Sequence, residues 1–405
     1  MTRGLAWISA CALLSCSAAS LPARAQYALE PQSSLWARAL LDVRLVGGGP
    51  AASWSDGGPG KMRYGGSFTD GGFQRATRLV LSQAALQVGA SLPWGLRAQA
   101  QVNVEPNIAR TYRPWLIEAI LRKEWGDERL GWGMQGGVMN VPFSLENTGP
   151  AWSPEFTISA SALNSWLWED INLAGAEAEG WYVTGSGVRL GALLGAGYGG
   201  DQIGRLLALR GWVVGDTLGG INGDLSLPTR GQRTDIFSER DHRPSLYTLL
   251  SLGDAEKIAS LNLGILDNRG DESQPAVWHT HFTTVGVVLS PYRRIDLVAQ
   301  YLTGTARVQA PPNDSALSAF YVLLSYHYLR QRVSLRYDSF RVHDLDGGPT
   351  STSERGHAQT ASYLIEIGLR QRIALEYIWM TSRRDTTGSL NPTPGGWQLS
   401  YRFRY

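Results

Sequence analysis

The sequence predicts an all-β chain: a transmembrane, antiparallel up-and-down β-barrel of 16–18 strands, with short turns at one end and long loops at the other. Three observations predict it. Alternation of apolar and polar residues recurs in stretches of about ten residues, the length at which a tilted strand crosses a bilayer. The connections between those stretches alternate between tight and long. The chain closes on "WQLSYRFRY", one more such strand, although a terminus frays unless something holds it.

The N-terminal segment comes first. Arg3, an apolar run over residues 5–19 and the Ala23-Arg24-Ala25 pattern predict a signal peptide over 1–25. A single barrel domain would then occupy 26–405. The apolar run is too short to span a membrane. Leu13-Leu14-Ser15-Cys16 supports a second reading, a lipoprotein box that would place a lipid on Cys16. Cys11 and Cys16 are the only cysteines, so the exported chain would hold neither thiol nor disulfide. Cleavage removes Arg3 and Arg24 and no acid, which takes the formal charge of +2 to neutrality. A neutral chain argues against a nucleic-acid partner. Lysine is confined to Lys61, Lys123 and Lys257, and no run of 18 apolar residues follows the signal.

The strands follow in order. In "LWARALLDVRLV", Ala37, Ala39, Leu41, Val43 and Leu45 oppose Arg38, Asp42 and Arg44. In "LRAQAQVNVE", Leu96, Ala98, Ala100, Val102 and Val104 oppose Arg97, Gln99, Gln101, Asn103 and Glu105. In "RRIDLVAQYL", Ile295, Leu297, Ala299 and Tyr301 oppose Asp296 and Gln300. Tight connections read as "LPWG", "WGDE", "TGSG", "LGDAE", "PYRR" and two copies of "LRQR". Long loops read as 47–72, 141–168, 228–242, 304–317, 343–359 and 383–395. Short periplasmic turns and long extracellular loops are the pattern of such barrels. The strand count reaches about 18 when pairs are assigned around 200–230. The final strand should pair with the first, because an open edge in lipid leaves backbone groups unpaired. Trp397, Leu399, Tyr401, Phe403 and Tyr405 would face lipid, and Arg402 and Arg404 the lumen.

Inward parity also selects the candidate pore-lining residues: Arg38, Arg44, Arg75, Arg97, Arg122, Arg336, Arg402 and Arg404, with Glu105 and Glu118 among the acids. They support two readings. One is ion pairs that stiffen the wall. The other is a charged, water-filled path whose side chains replace part of a solute's hydration.

The terminal aromatic with apolar residues at every second position resembles the signal by which Gram-negative outer-membrane barrels are assembled. "FQRATRLVLSQAALQV" (73–88) and "WGMQGGVMNVPFSLE" (132–146) resemble two strands of the phosphate-selective (O and P type) porin family. The resemblance implies an outer-membrane porin that passes small hydrophilic solutes passively and favours anions. It implies outer-membrane lipid, the barrel assembly machinery and a homotrimeric assembly as partners. It also makes loop 141–168, the third long connection, a candidate constriction carrying Glu146 and Glu155. A solvated surface loop held by Pro142, Pro150 and Pro154 is the other reading.

Other motifs carry less. Gly195, Gly197 and Gly200 fit G-x-G-x-x-G, but Gly191, Gly195, Gly197 and Gly199 share one parity, as small residues on one strand face do. His279 and His281 lack carboxylate partners for a metal. Asp344-Leu345-Asp346-Gly347 starts like a calcium loop, yet Arg355 holds the position that needs glutamate. Arg269-Gly270-Asp271 reads as a turn. No G-x-S-x-G elbow occurs. The expectation is therefore a porin without enzymatic activity, metal or cofactor. A barrel enzyme of protease or lipase type and a secreted soluble β-protein are the alternatives.

Overall fold

In the computed structural model the described residues are 34–69, 72–106, 112–227, 233–254, 258–270, 273–292, 294–347, 351–385 and 395–405. The expected signal peptide and Cys16 lie outside them. The first strands are β1 (Leu35–Gly48), β2 (Ser67–Thr69), β3 (Gly72–Gln74), β4 (Ala76–Ser91) and β5 (Leu96–Pro106). Next come β6 (Tyr112–Gly126), β7 (Leu130–Asn140), β8 (Asn172–Val183), β9 (Val188–Tyr198), β10 (Asp224–Ser226) and β11 (Arg233–Asp235). The C-terminal half holds β12 (Ser245–Asp254), β13 (Ala259–Asn268), β14 (His279–Tyr292), β15 (Ile295–Val308) and β16 (Asn313–Tyr328). The last are β17 (Gln331–Asp344), β18 (Glu354–Glu366), β19 (Gln371–Arg384) and β20 (Gly396–Arg404). Two short helices, α1 (Ala162–Asp170) and α2 (Arg205–Arg210), lie between strands.

Sixteen of these strands close one antiparallel barrel, while β2–β3 and β10–β11 form separate two-stranded ribbons. Closure joins β1 to β20 in a register running from Leu40 opposite Arg404 to Gly47 opposite Trp397. The count falls at the lower end of the expected range for a physical reason. β9 pairs directly with β12, so the intervening segment leaves the wall instead of adding staves. All seven tight connections predicted from the sequence fall between consecutive wall strands at one end of the barrel; those at 252–256 and 291–294 include positions outside the described residues. At the other end the loops are shorter than expected in two places. β15 runs to Val308 and β16 starts at Asn313, so most of 304–317 is strand, and β17 and β18 likewise consume the ends of 343–359. Their polar outward residues had disguised strand ends that rise beyond the apolar belt.

Along β19 burial alternates without exception after Gln371. Ala374, Glu376, Ile378 and Met380 point inward, and Leu375, Tyr377 and Trp379 point out. Leu79, Leu194, Leu246 and Leu335 extend that exposed apolar face around the barrel, with Trp94, Tyr292 and Tyr405 at the tight-turn end. A continuous apolar exterior of this extent is solvated by lipid, as a transmembrane barrel requires.

Candidate functional site

The lumen is the site, and it is filled. Segments 49–66, 141–171 and 199–223 fold into it. Ser53 accepts the amide N–H of Asp56 to start a turn that buries Trp54. Ser161 accepts the Asn164 N–H and starts α1, all nine residues of which are buried. A helix buried on every face belongs inside a core, not on a rim. Trp166 packs edge-on against Trp212 at 5.9 Å and Phe282 at 5.2 Å, and Phe143 against Phe282 at 5.7 Å. This core continues into inward residues of β12, β14, β15 and β16, among them Tyr247, Phe282, Leu302 and Tyr321.

The opposite half of the wall meets the same segments mainly through charge, beside a smaller apolar contact of Ile158 with Leu364 and Ala374. Arg44, fully buried, bonds Asp42 at 2.8 Å on its own strand and Asp216 at 2.5 Å on segment 199–223. Arg63 joins Asp216 (2.8 Å) to Glu105 (2.9 Å), and Arg402 reaches Asp42 at 2.8 Å. A second network centres on Arg336, which pairs with Glu146 at 3.0 Å and Asp338 at 2.9 Å. Arg336 also donates to the Ser159 and Ala160 carbonyls at 2.7 and 2.9 Å. Glu376 accepts the Ile158 N–H at 2.7 Å and the Ser159 hydroxyl at 2.6 Å. In a third, Lys61 pairs with Glu354 at 2.7 Å, and Arg210 with Glu169 at 2.6 Å. Burial pulls the Lys61 ammonium down to about 8 against the attraction of Glu354, and pushes Glu169 up. A cavity beside Arg63, Asp216 and Gln398 holds about 20 Å³, space for one water.

The candidate residues fall on this plan unevenly. Arg44, Arg122, Arg336, Arg402, Glu105, Glu118 and Glu146 all point inward and are buried. Arg122 pairs with Glu124 and Glu179, and Gln99 donates to Glu118. Glu155 is half-buried in the same inward loop as Glu146. Arg38, Arg97 and Arg404 line the tight-turn mouth: Arg38 lies over the Trp36 ring at 4.7 Å, Arg97 reaches Glu124 at 3.6 Å, and Arg404 pairs with Glu366 at 2.6 Å. Arg75 is a correction. It is exposed on the outward parity of Thr77 and Leu79, because a bulge puts both Ser82 and Gln83 on the inner face and reverses the alternation before it. Arg78 takes the inward place, donating to the Gly65 carbonyl at 3.0 Å. The aromatic row of the last strand keeps its predicted outward side, with Leu399, Tyr401 and Tyr405 exposed and Trp397 and Phe403 half-buried.

Arg44, Arg122, Arg336 and Arg402 therefore do not face open water; each is buried against carboxylates of the wall or of the inward segments. Sequence reasoning missed those partners, Arg63, Asp216, Lys61 and Ser159. A signal existed: Trp54, Trp152, Trp166, Trp168 and Trp212 all fall between wall strands, and solvated loops seldom carry so much buried-type surface. The glycine motif is strand: a side chain at Gly195 would overlap the Tyr247 ring, so the missing Cβ makes room for that tyrosine in the wall.

Among solved structures, the chain resembles an anion-selective porin from Comamonas acidovorans, at 11% identity over 92% of this chain and 99% of that one, TM-score 0.53. The fold is that of outer-membrane porins. The outer membrane channel DcaP of Acinetobacter baumannii matches at 11% identity over 92% and 97% of the two chains, TM-score 0.54. The trimer form of in-vitro folded OmpT, an outer membrane protein of Vibrio cholerae, matches at 10% identity over 92% and 99%, TM-score 0.51. No family model and no curated protein matches the chain.

Proposed function

We propose that this protein is a channel of the outer membrane that rests closed and passes small hydrophilic solutes when its inward segments shift. The observation that carries the reading is the asymmetry of the lumen. Segment 141–171 meets β12–β16 mainly through apolar packing, with Gln300 donating to the Phe143 carbonyl, and meets β17–β20 mainly through ion pairs and hydrogen bonds, with Ile158 packed on Leu364 and Ala374. Water can replace a polar contact on both faces, so the seam along β17–β20 opens at far lower cost than the apolar one. Solutes would pass along that seam. Similarity in fold to proteins described as porins and channels supports this role, and the neighbour in trimer form supports a homotrimer. The charge preference we infer is weak, since Arg44, Arg122, Arg336 and Arg402 each face a carboxylate that would line the same path. This weakens the phosphate selectivity that the family resemblance implies. The role needs no covalent chemistry.

Planar-bilayer recording tests the reading. Wild type should be closed most of the time. Arg336→Ala strands Glu146 and Asp338, and breaking a buried pair costs roughly 3–5 kcal/mol. Open probability should therefore rise by more than about tenfold, because about 1.4 kcal/mol is a factor of ten. Heat-modifiable gel mobility checks that the variant is folded. A folded variant as silent as wild type would overturn the closed-channel reading.

A further inference from the structure

Three arginines stand side by side on the outside of the barrel. Arg341 of β17 is directly opposite Arg355 of β18, which is directly opposite Arg383 of β19. All three are exposed and share the outward parity. Neighbouring strands lie about 4.8 Å apart, so three positive charges are fixed within roughly 10 Å. Like charges directly opposite across strands repel and destabilise the pairing. Among the described residues no carboxylate pairs with any of them. Asp385, one row beyond, accepts the Ser351 hydroxyl at 3.0 Å. Asp344 at the end of β17 accepts the backbone N–H of Thr352, and Asp346 of the adjoining loop accepts that of Asp314. Segment 386–394 contains no acid in its sequence.

The rows below are graded. Two residues toward the membrane centre, Ser339, His357 and Thr381 form a polar row, and two further lie Tyr337, Gln359 and Trp379. Tyr337 stacks on His357 at 6.3 Å and lies 6.1 Å from Phe320. The arginines and these rings line a groove of about 570 Å³ on the outer wall, at the long-loop end.

We infer that this groove binds the phosphorylated headgroup of a lipid in the leaflet on the long-loop side. The arginines grip its phosphates, the Ser339–His357–Thr381 row meets its sugar or glycerol hydroxyls, and its acyl chains descend over Tyr337 and Phe320. Guanidinium forks bind phosphate oxygens in pairs, and one multiply charged headgroup relieves the repulsion across both strand gaps. The Phe320 and Tyr337 rings that line the groove below the charges favour a lipid phosphate over a free one.

Native mass spectrometry of the full-length protein in detergent tests this, using bisphosphorylated lipid A as the probe. Wild type should retain one lipid A through detergent exchange, and retention should fall at least tenfold in R341Q/R355Q/R383Q. R341K/R355K/R383K should retain an intermediate amount, and R294Q at the opposite end should retain the wild-type amount. Dephosphorylated lipid A should not be retained. Equal retention by the triple Gln variant or of the dephosphorylated lipid would overturn the proposal, as would full displacement by millimolar inorganic phosphate, which would mark a free-anion site. Heat-modifiable mobility confirms that each variant is folded.

Discussion

Asp170 closes α1 with no cation in hydrogen-bond contact: the Trp166 indole N–H and the Gly204 amide both donate to one of its oxygens, at 2.7 and 2.9 Å. Burial pushes its carboxyl up to about 7, and those two donors only partly oppose it. A raised acid stabilises the fold in its protonated form. That contribution is complete below the unfolded value near 3.8 and disappears as pH climbs through about 7. Asp170→Asn keeps an acceptor for both donors and cannot ionise. Urea midpoints in lipid vesicles should therefore converge at pH 4 and separate by pH 8, the Asn variant being more stable by up to roughly 3–4 kcal/mol. Parallel profiles for the two proteins would show that the carboxylate is not desolvated there. Single residues of this kind are the least legible in sequence. Parity alone leaves Arg44 and Arg402 open to either reading, ion pairs or a charged path, and only the approach of Asp216 and Asp42 makes them clasps.

Strands, by contrast, are written plainly, because period two needs nothing but local order. The tight turns were equally plain, since each falls where the alternation breaks over a few residues. Bulges were not: one extra residue at Ser82, and another at Ile117, reverses parity without a marker, and Arg75 fell on the wrong face for that reason. The inward segments were misread in part because a loop's destination depends on what the far wall offers it. On β5 the two faces now make different predictions. Ala100 points to lipid, and Ala100→Arg should destabilise by ~2–4 kcal/mol near the midplane. From the sequence alone Gln101→Arg is expected to be harmless in a water-filled lumen. In the filled one Gln101 is fully buried, accepts from Gln87 at 2.7 Å and donates to the Ala151 carbonyl at 3.3 Å. Gln101→Arg should thus expel loop 141–161 and expose it to protease while the barrel persists. A Gln101→Arg protein whose loop stays as protected as wild type would contradict the packing described.

For the whole molecule, closure and filling depend on the same seam. β20 supplies the last backbone ladder to β1, and its inward Ser400 and Arg402 both bond Asp42 at 2.7 and 2.8 Å. Asp42 in turn holds Arg44, which holds Asp216 of the inward segment. The final strand therefore stabilises the lumen from its inner side while its outer side carries the aromatic row. Tyr405 is tied by reciprocal backbone bonds to Ala39 at 2.9 and 3.1 Å, so it is part of the ladder. The resemblance of this strand to an assembly signal predicts a separate role for the outer row. Replacing Phe403 and Tyr405 by Asp leaves every inward bond to Asp42 intact and changes only the lipid-facing parity. If the row is read during insertion, the double variant should be lost from outer-membrane fractions while the same protein still refolds from urea into detergent micelles at reduced stability. If the row matters only for lipid contact, the variant should reach the membrane at wild-type levels and show merely a lower unfolding midpoint. Comparing cellular abundance with refolding yield separates the two, and normal abundance would end the assembly-signal reading.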